Sequence, residues 1–422
     1  MPSLVFANKD GEMLDYDGLE MAGRLGFEFF SPQLEDLIPL PEGSELFVLP
    51  DRLPVGMERD SGEPALLDTN PFQPGQPIQA VAAFMAPAHT ANHIAAFQAE
   101  GAAPQQLPLF AYTAVGWHDG QFWVSAFRSD RDTRQDIAGF DLDAIERNTK
   151  KRLQRYSHNR LIQHLGKCCL TYGCPAAKNY FLDRWEAPLP SSPTCNAGCL
   201  GCISLQPSGC CPSTQQRLSF VPTPKEIAEV AVEHLQQAPL PIVSFGQGCE
   251  GEPLLQADTM AEAITLIRSQ TDKGTINLNS NASLPHAVEK LAQAGLDSIR
   301  VSLNSAREEV YTRYYRPKGY AFTDVLQSIR IMKERGRHVS LNYFILPGVT
   351  DDPAEFAALL ELLRPHTPDL IQLRNLNMDP DIYLDAIGHQ PDSEPMGMQH
   401  CLNQIKKHFP ALKFGYFNPF LG

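Results

Sequence analysis

Basic residues are in the minority: 35 Lys and Arg stand against 49 Asp and Glu, a formal net charge of −14 over 422 residues. Affinity for nucleic acid rests largely on Lys and Arg, so this deficit argues against a broad phosphate-binding surface. One local exception, Lys150-Lys-Arg-Leu-Gln-Arg155, reads either as a basic footprint or as the solvated face of a helix. Long apolar runs are missing as well. The longest, residues 78–87, falls far short of a membrane span. The first residues, Met1-Pro-Ser-Leu-Val-Phe, have neither the basic start nor the apolar core of a secretory leader, which gives the expectation of a cytoplasmic protein. Cysteine is absent from the first 167 residues, and nine of the ten lie between Cys168 and Cys249, with only Cys401 outside. In a reducing compartment such crowding points to metal or catalysis more than to disulfides.

A chain of this length is expected to divide into about two or three domains. Residues 1–165 read as a mixed α/β domain. Residues 4–14 resemble a hairpin turning at Asp10-Gly11, and residues 109–127 a stronger one turning at Asp119-Gly120 between aromatic and β-branched runs. Residues 64–77 are proline-rich and read as loop, and a polar helix over 142–165 leads out of the domain. A cysteine-containing connector, 166–187, follows. Over 188–390 the pattern alternates. Strand-like runs at 240–245, 275–280, 298–303, 339–346 and 370–373 are separated by helix-like runs at 259–270, 285–294, 321–335 and 353–363. This predicts a parallel sheet with right-handed crossovers, and one more strand before the cysteines makes six. Residues 391–422 add a helix (395–408) and a last strand-like run (412–417). Ligands of parallel α/β layouts sit at the carboxyl ends of the strands.

Chemistry concentrates in Pro193-Thr-Cys-Asn-Ala-Gly-Cys-Leu-Gly-Cys-Ile-Ser204. Cys195, Cys199 and Cys202 can hold three corners of a [4Fe–4S] cube, and no fourth cysteine sits close by in the chain. An iron left open can bind a substrate or cofactor, whereas a cluster closed by a fourth cysteine mostly carries electrons. After the 240–245 strand comes Phe245-Gly-Gln-Gly-Cys-Glu-Gly-Glu-Pro-Leu254, with glycines for close backbone approach and carboxylates for an ammonium group. Later strand ends offer Ser280-Asn281, Ser302-Leu-Asn304, Pro347-Gly348 and Arg374-Asn375. Cys168, Cys169, Cys174, Cys210 and Cys211 bracket the signature and supply either a second metal site, iron–sulfur or zinc, or inert structural thiols. Cys249 reads as a hydrogen-atom donor facing the ligand, or as a small buried residue under its loop. His118, His158, His164 and His400 show no ligand spacing and read as surface or satisfied histidines. Tyr311, Tyr314 and Tyr315, with Arg313 and Arg316, read either as a lining of the barrel mouth or as a helix surface.

With the sheet pattern behind it, the Cys195, Cys199, Cys202 spacing resembles the signature of the radical S-adenosylmethionine (radical SAM) superfamily, over residues 188–381. The resemblance implies a partial (β/α)6 barrel and a [4Fe–4S] cluster on these three cysteines, with S-adenosylmethionine (SAM) chelating the open iron. It further implies one-electron cleavage of SAM to a 5′-deoxyadenosyl radical that takes hydrogen from a substrate, and an electron donor such as ferredoxin or flavodoxin. Gly251-Glu252-Pro253 looks like the end of the family's Gly-Gly-Glu element, which holds the methionyl amine. Ser302 and Asn304 resemble its ribose-contacting strand, Asn281 another ligand-facing strand end, and Gly348 and Asn375 positions of adenine contact. Two departures stand out. Gly201 replaces a common aromatic before the last cysteine, and Glu250 replaces the first glycine, leaving two carboxylates that could take the amine. The acidic charge favours a peptide, protein or small-molecule substrate over a nucleic acid. A nucleic-acid-modifying enzyme and a non-catalytic iron–sulfur or zinc protein are the alternative readings.

Overall fold

The computed structural model describes residues 1–101, 104–107, 109–134, 136–205, 215–391 and 393–422. Up to residue 134 the described residues form antiparallel strands and no α-helix, arranged as an 11-stranded and a 3-stranded sheet. The mix of α and β in this region is thus sequential, strands first and helices from residue 142. Both expected hairpins form. Strands Val115–His118 and Gln121–Arg128 are joined by Asp119 and Gly120 at φ +48° and +77°. A two-residue hairpin turn of the type I′ kind demands positive φ at both places.

The helix expected over 142–165 is two helices, α1 (Leu142–Arg155) and α2 (Arg160–Leu170). Asn159 makes the break, because its side chain accepts from the Ile162 amide at 3.0 Å and so starts a new helix. A short α3 (Pro175–Phe181) completes the connector.

Seven parallel strands follow, paired in chain order: β1 (Glu186–Pro188), β2 (Ile242–Phe245), β3 (Thr275–Ser280), β4 (Ser298–Leu303), β5 (His338–Ile345), β6 (Leu370–Asn375) and β7 (Lys413–Gly415). The crossovers carry α4 (Pro224–Gln237), α5 (Ala257–Arg268), α6 (Pro285–Ala294), α7 (Glu308–Tyr315), α8 (Phe322–Glu334), α9 (Pro353–Leu363), α10 (Pro380–Ile387) and α11 (Met398–His408). Sequential order with one handedness of crossover keeps the helices on one face and curls the sheet toward a barrel. No pairing joins β1 to β7, so among the described residues the barrel is open. It is the six-strand partial barrel of the sequence reading, with the C-terminal run added as a seventh strand beside β6.

Alternation along β4 shows how the faces divide. Ile299, Val301 and Leu303 are fully buried against the helices, while Ser298, Arg300 and Ser302 point to the inner face. That inner face is polar. Asn277 donates to Ser244 Oγ (3.1 Å) and Asn279 Oδ1 (2.9 Å), and Arg300 and Arg374 each reach Gln372 Oε1 at 3.3 Å. Asn418, beyond β7, closes the network through Gln372 and Glu186.

The N-terminal sheets dock on the carboxyl ends of β5 and β6. Buried Arg52 pairs with buried Asp379, Arg24 pairs with Asp381, and the Gly26 amide donates to Pro347 O at 3.1 Å. Among the described residues no helix is long and apolar enough to cross a membrane.

Candidate active site

The loop holding the three cysteines and the loop after β2 run side by side. The Gly251 amide donates to Ser192 O (2.7 Å) and the Glu252 amide to Thr194 O (2.8 Å). A Cβ at Gly251 would lie 1.9 Å from Thr194 O, so only glycine permits this approach. The backbone contact sets Glu252 beside Cys195.

The two carboxylates divide their work. Buried Glu250 accepts five hydrogen bonds: Ser191 N (2.7 Å), Ser192 N (2.9 Å) and Ser191 Oγ (3.1 Å) on one oxygen, Gly246 N (2.7 Å) and Gln247 N (2.8 Å) on the other. It closes the loop and has little capacity left for a ligand. Glu252 accepts from Ser280 Oγ (2.6 Å), Asn281 N (2.9 Å) and Leu254 N (3.0 Å). Burial pushes its carboxyl up to about 7, and the Glu250 charge adds to the rise. Its charge is felt by Cys195 and Cys199. Asn281 carries the brace onward, its Nδ2 donating to Asn196 Oδ1 at 2.9 Å, next to Cys195.

Cys195, Cys199 and Cys202 are each half-buried. Burial raises the Cys195 and Cys199 thiols, and Arg217 Nη2 lies 3.5 Å from Cys202 Sγ. Three thiols with a guanidinium nearby form a donor set that fits a [4Fe–4S] cluster, whose iron would displace their protons. Cys249 does not complete this set, because its sulfur lies with His164 and Cys168.

The tyrosines are not a helix surface. Tyr311, Tyr314 and Tyr315 are 0%, 2% and 3% exposed, and α7 cushions the cysteine loop. Gly198 N donates to Tyr315 O (2.9 Å) and Leu200 N to Tyr314 O (3.2 Å). A Cβ on Gly201 would stand 3.0 Å from Tyr314 Oη. The space beside Gly201 is thus occupied by the Tyr314 ring of α7. Aromatic residues at one-turn spacing in 311–315 were the available signal.

The other expected ligand contacts separate. Ser302 is half-buried on the inner face of the barrel. Asn304 is buried, its Nδ2 donating to Tyr383 Oη at 3.0 Å. Gly348, at φ +90°, makes its close approach to the N-terminal domain, where a Cβ would stand 2.0 Å from the Gly26 amide nitrogen. Asn375 also turns to that domain, accepting from Ala91 N (3.0 Å) and donating to His89 O (3.1 Å). Gly251, Glu252, Glu250 and Asn281 thus converge around the cysteines, while Gly348 and Asn375 take their observed partners from the domain interface.

The remaining cysteines differ among themselves. Cys169 lies 3.6 Å from Thr149 Oγ1, and Cys174 caps α3. Cys210 and Cys211 lie outside the described residues. The sulfurs of buried Cys168 and Cys249 and a ring nitrogen of half-buried His164 lie within 4.8 Å of one another, so His164 is not a plain surface histidine. The hydrogen bond between the two sulfurs holds Cys168 low and Cys249 high. His164 and Cys168 stand four residues apart on α2, a spacing that puts both on one helix face. The basic run of α1 is matched by acids: Lys150 pairs with Glu146, Arg152 with Asp183 (2.8 Å) and Arg155 with Glu233 (3.0 Å).

Residues 189–360 match the family model described as the Radical SAM superfamily. A probable dual-specificity RNA methyltransferase, RlmN, of Synechococcus sp. (strain JA-2-3B'a(2-13)) is 28% identical over 162 residues, 37% of this chain and 46% of its own. The FeMo cofactor biosynthesis protein NifB of Klebsiella pneumoniae is 26% identical over 177 residues, 39% of this chain and 37% of its own. This chain thus spans less than half the length of either relative. The crystal structure of a radical SAM methyltransferase from Sphaerobacter thermophilus is 17% identical, with a TM-score of 0.37 over 55% of this chain and 67% of that one.

Proposed function

Because this chain carries a radical SAM domain, we propose that it is an enzyme that binds a [4Fe–4S] cluster on Cys195, Cys199 and Cys202 and SAM beside it. When bound, the pair supplies a 5′-deoxyadenosyl radical that abstracts hydrogen from a substrate. The observation that carries the reading is the strap between the two loops, Gly251 N to Ser192 O and Glu252 N to Thr194 O. It fixes a buried carboxylate next to the thiols that hold the iron. Glu252 receives the methionyl amine, Glu250 and Asn281 hold the two loops in register, and Tyr314 shields the cysteine loop from solvent. Ser302 lies on the strand expected to face ribose, and Asn304 just past its end.

A peptide, protein or small-molecule substrate is favoured, since the ion pairs of α1 leave its basic run largely neutralised. The electron comes from a low-potential carrier such as ferredoxin or flavodoxin. A cytoplasmic setting suits a protein whose function needs reduced thiols. The relative named as an RNA methyltransferase supports nucleic-acid modification as a second reading.

The test is anaerobic reconstitution with iron and sulfide, followed by dithionite and SAM. The expected product is 5′-deoxyadenosine, seen by chromatography and mass spectrometry. Protein loaded with about four irons that yields none would overturn the proposal. RNA retention in a gel that vanishes at moderate salt would move the substrate to the second reading.

A further inference from the structure

Away from the cysteine loop, three ligating side chains meet. His164 and Cys168 come from α2, and Cys249 from the loop after β2. Their ligand atoms all lie within 4.8 Å of one another, and His164 Nε2 is 3.5 Å from Cys168 Sγ. A tetrahedral zinc ion binds sulfur at about 2.3 Å and imidazole nitrogen at about 2.0–2.1 Å. Those lengths at tetrahedral angles separate two ligand sulfurs by about 3.8 Å, and a sulfur from a nitrogen by about 3.5 Å. The observed sulfur–nitrogen distance matches that value, and the 4.8 Å limit on all three atoms is compatible with one shared ion. An iron–sulfur cluster is a poorer fit, because it places each cysteine on a different iron and spreads the sulfurs wider.

The donor chemistry agrees. Two thiolates and an imidazole are a soft set that suits zinc and disfavours magnesium or calcium. Two thiolates also cancel the charge of a divalent ion, which a buried site requires. Both cysteines are buried, at 1% and 4% exposure, and their backbones are fixed. Cys168 O accepts from Cys174 N (3.1 Å), and Cys249 O from Leu218 N (2.7 Å).

We propose that His164, Cys168 and Cys249 form a second metal centre, separate from the cysteine loop, which binds one zinc ion. Three protein ligands leave one position, among the described residues, for water or another small donor. The centre pins α2 to the loop that carries Glu250 and Glu252. It thereby couples the connector to the site beside the cysteine loop.

The experiment uses the full-length chain with Cys195, Cys199 and Cys202 replaced by alanine, so that the cluster ligands cannot contribute. After chelation under anaerobic conditions it is titrated with cobalt(II), then zinc(II). One cobalt per chain, with thiolate-to-cobalt absorption displaced by one zinc, is expected. Adding His164→Gln, which alters a half-exposed position, should weaken binding at least tenfold. Adding Cys168→Ala or Cys249→Ser should abolish the thiolate absorption. No binding, or binding unchanged by His164→Gln and Cys249→Ser, would overturn the proposal. The first outcome leaves an imidazole–thiol hydrogen bond, and the second puts the metal elsewhere.

Discussion

Cys195, Cys199 and Cys202 share one loop without regular structure and stay half-exposed, whereas His164, Cys168 and Cys249 come from a helix and a distant loop, with both cysteines buried and the histidine half-buried. The first group lies in one short stretch of chain, and the ligand atoms of the second all lie within 4.8 Å of one another. One loop, Gly246 to Glu252, touches both. It lends Cys249 to the buried group and Glu252 to the exposed one. Position in the chain decides which centre a local reading finds, and closeness in space decides what each can hold.

The contrast can be broken at several points. Cys199→Ala should cut 5′-deoxyadenosine formation at least about 1,000-fold, roughly 4 kcal/mol, while one zinc per chain remains at the buried centre. Loss of both metals in that variant would mean that the centres are not independent. Metal analysis beside the activity assay decides it. Glu250→Gln comes next, because it places an amide NH2 among backbone donors that need an acceptor. It should destabilise the chain by about 3 kcal/mol in urea unfolding and reduce loading of both centres.

A smaller effect is expected from pH. The Glu252 carboxyl lies near 7 when folded, against about 4.3 in an unfolded chain. The folded state therefore keeps a proton that the unfolded state releases. This group's contribution to stability is full below about pH 4.3 and is lost as the pH rises through about 7. Binding of the SAM amine prefers the ionised form, so affinity should run the other way. It should be roughly tenfold weaker at pH 6 than at pH 8 by equilibrium dialysis. Glu252→Gln should flatten that profile. The smallest effect is expected from Tyr314→Phe, about 1 kcal/mol in unfolding, for the loss of the hydroxyl beside Gly201.

What was legible in the sequence follows the range of the interactions. The strands of the barrel show as short runs of apolar and β-branched residues, alternating where the inner face is polar, and β3 and β4 fall on the expected residues. Asp119-Gly120 announced its hairpin because the turn's backbone demands those residue types. The cysteine signature was legible for the same reason, all three ligands lying on one loop. The partnership of Cys249 with His164 was not, since nothing local links a strand-end loop to a connector helix. Tyr314 was misread because its burial depends on a loop more than a hundred residues earlier. The contacts of Gly348 and Asn375 depend on packing against the N-terminal strands, which leaves no periodic trace.

That docking has a consequence for how the chain is born. Arg24, Gly26, Arg52, His89 and Ala91 meet their partners at Pro347, Asn375, Asp379 and Asp381. At roughly 5–20 residues per second, the ribosome delivers those partners on the order of ten seconds or more after the first domain has left it. During that interval Arg52, buried in the finished protein, lacks its carboxylate partner Asp379. The loop of Cys195, Cys199 and Cys202 is also made before the last strands arrive. A nascent chain thus holds its cysteine loop before it holds β5 to β7, and the order of synthesis separates the two.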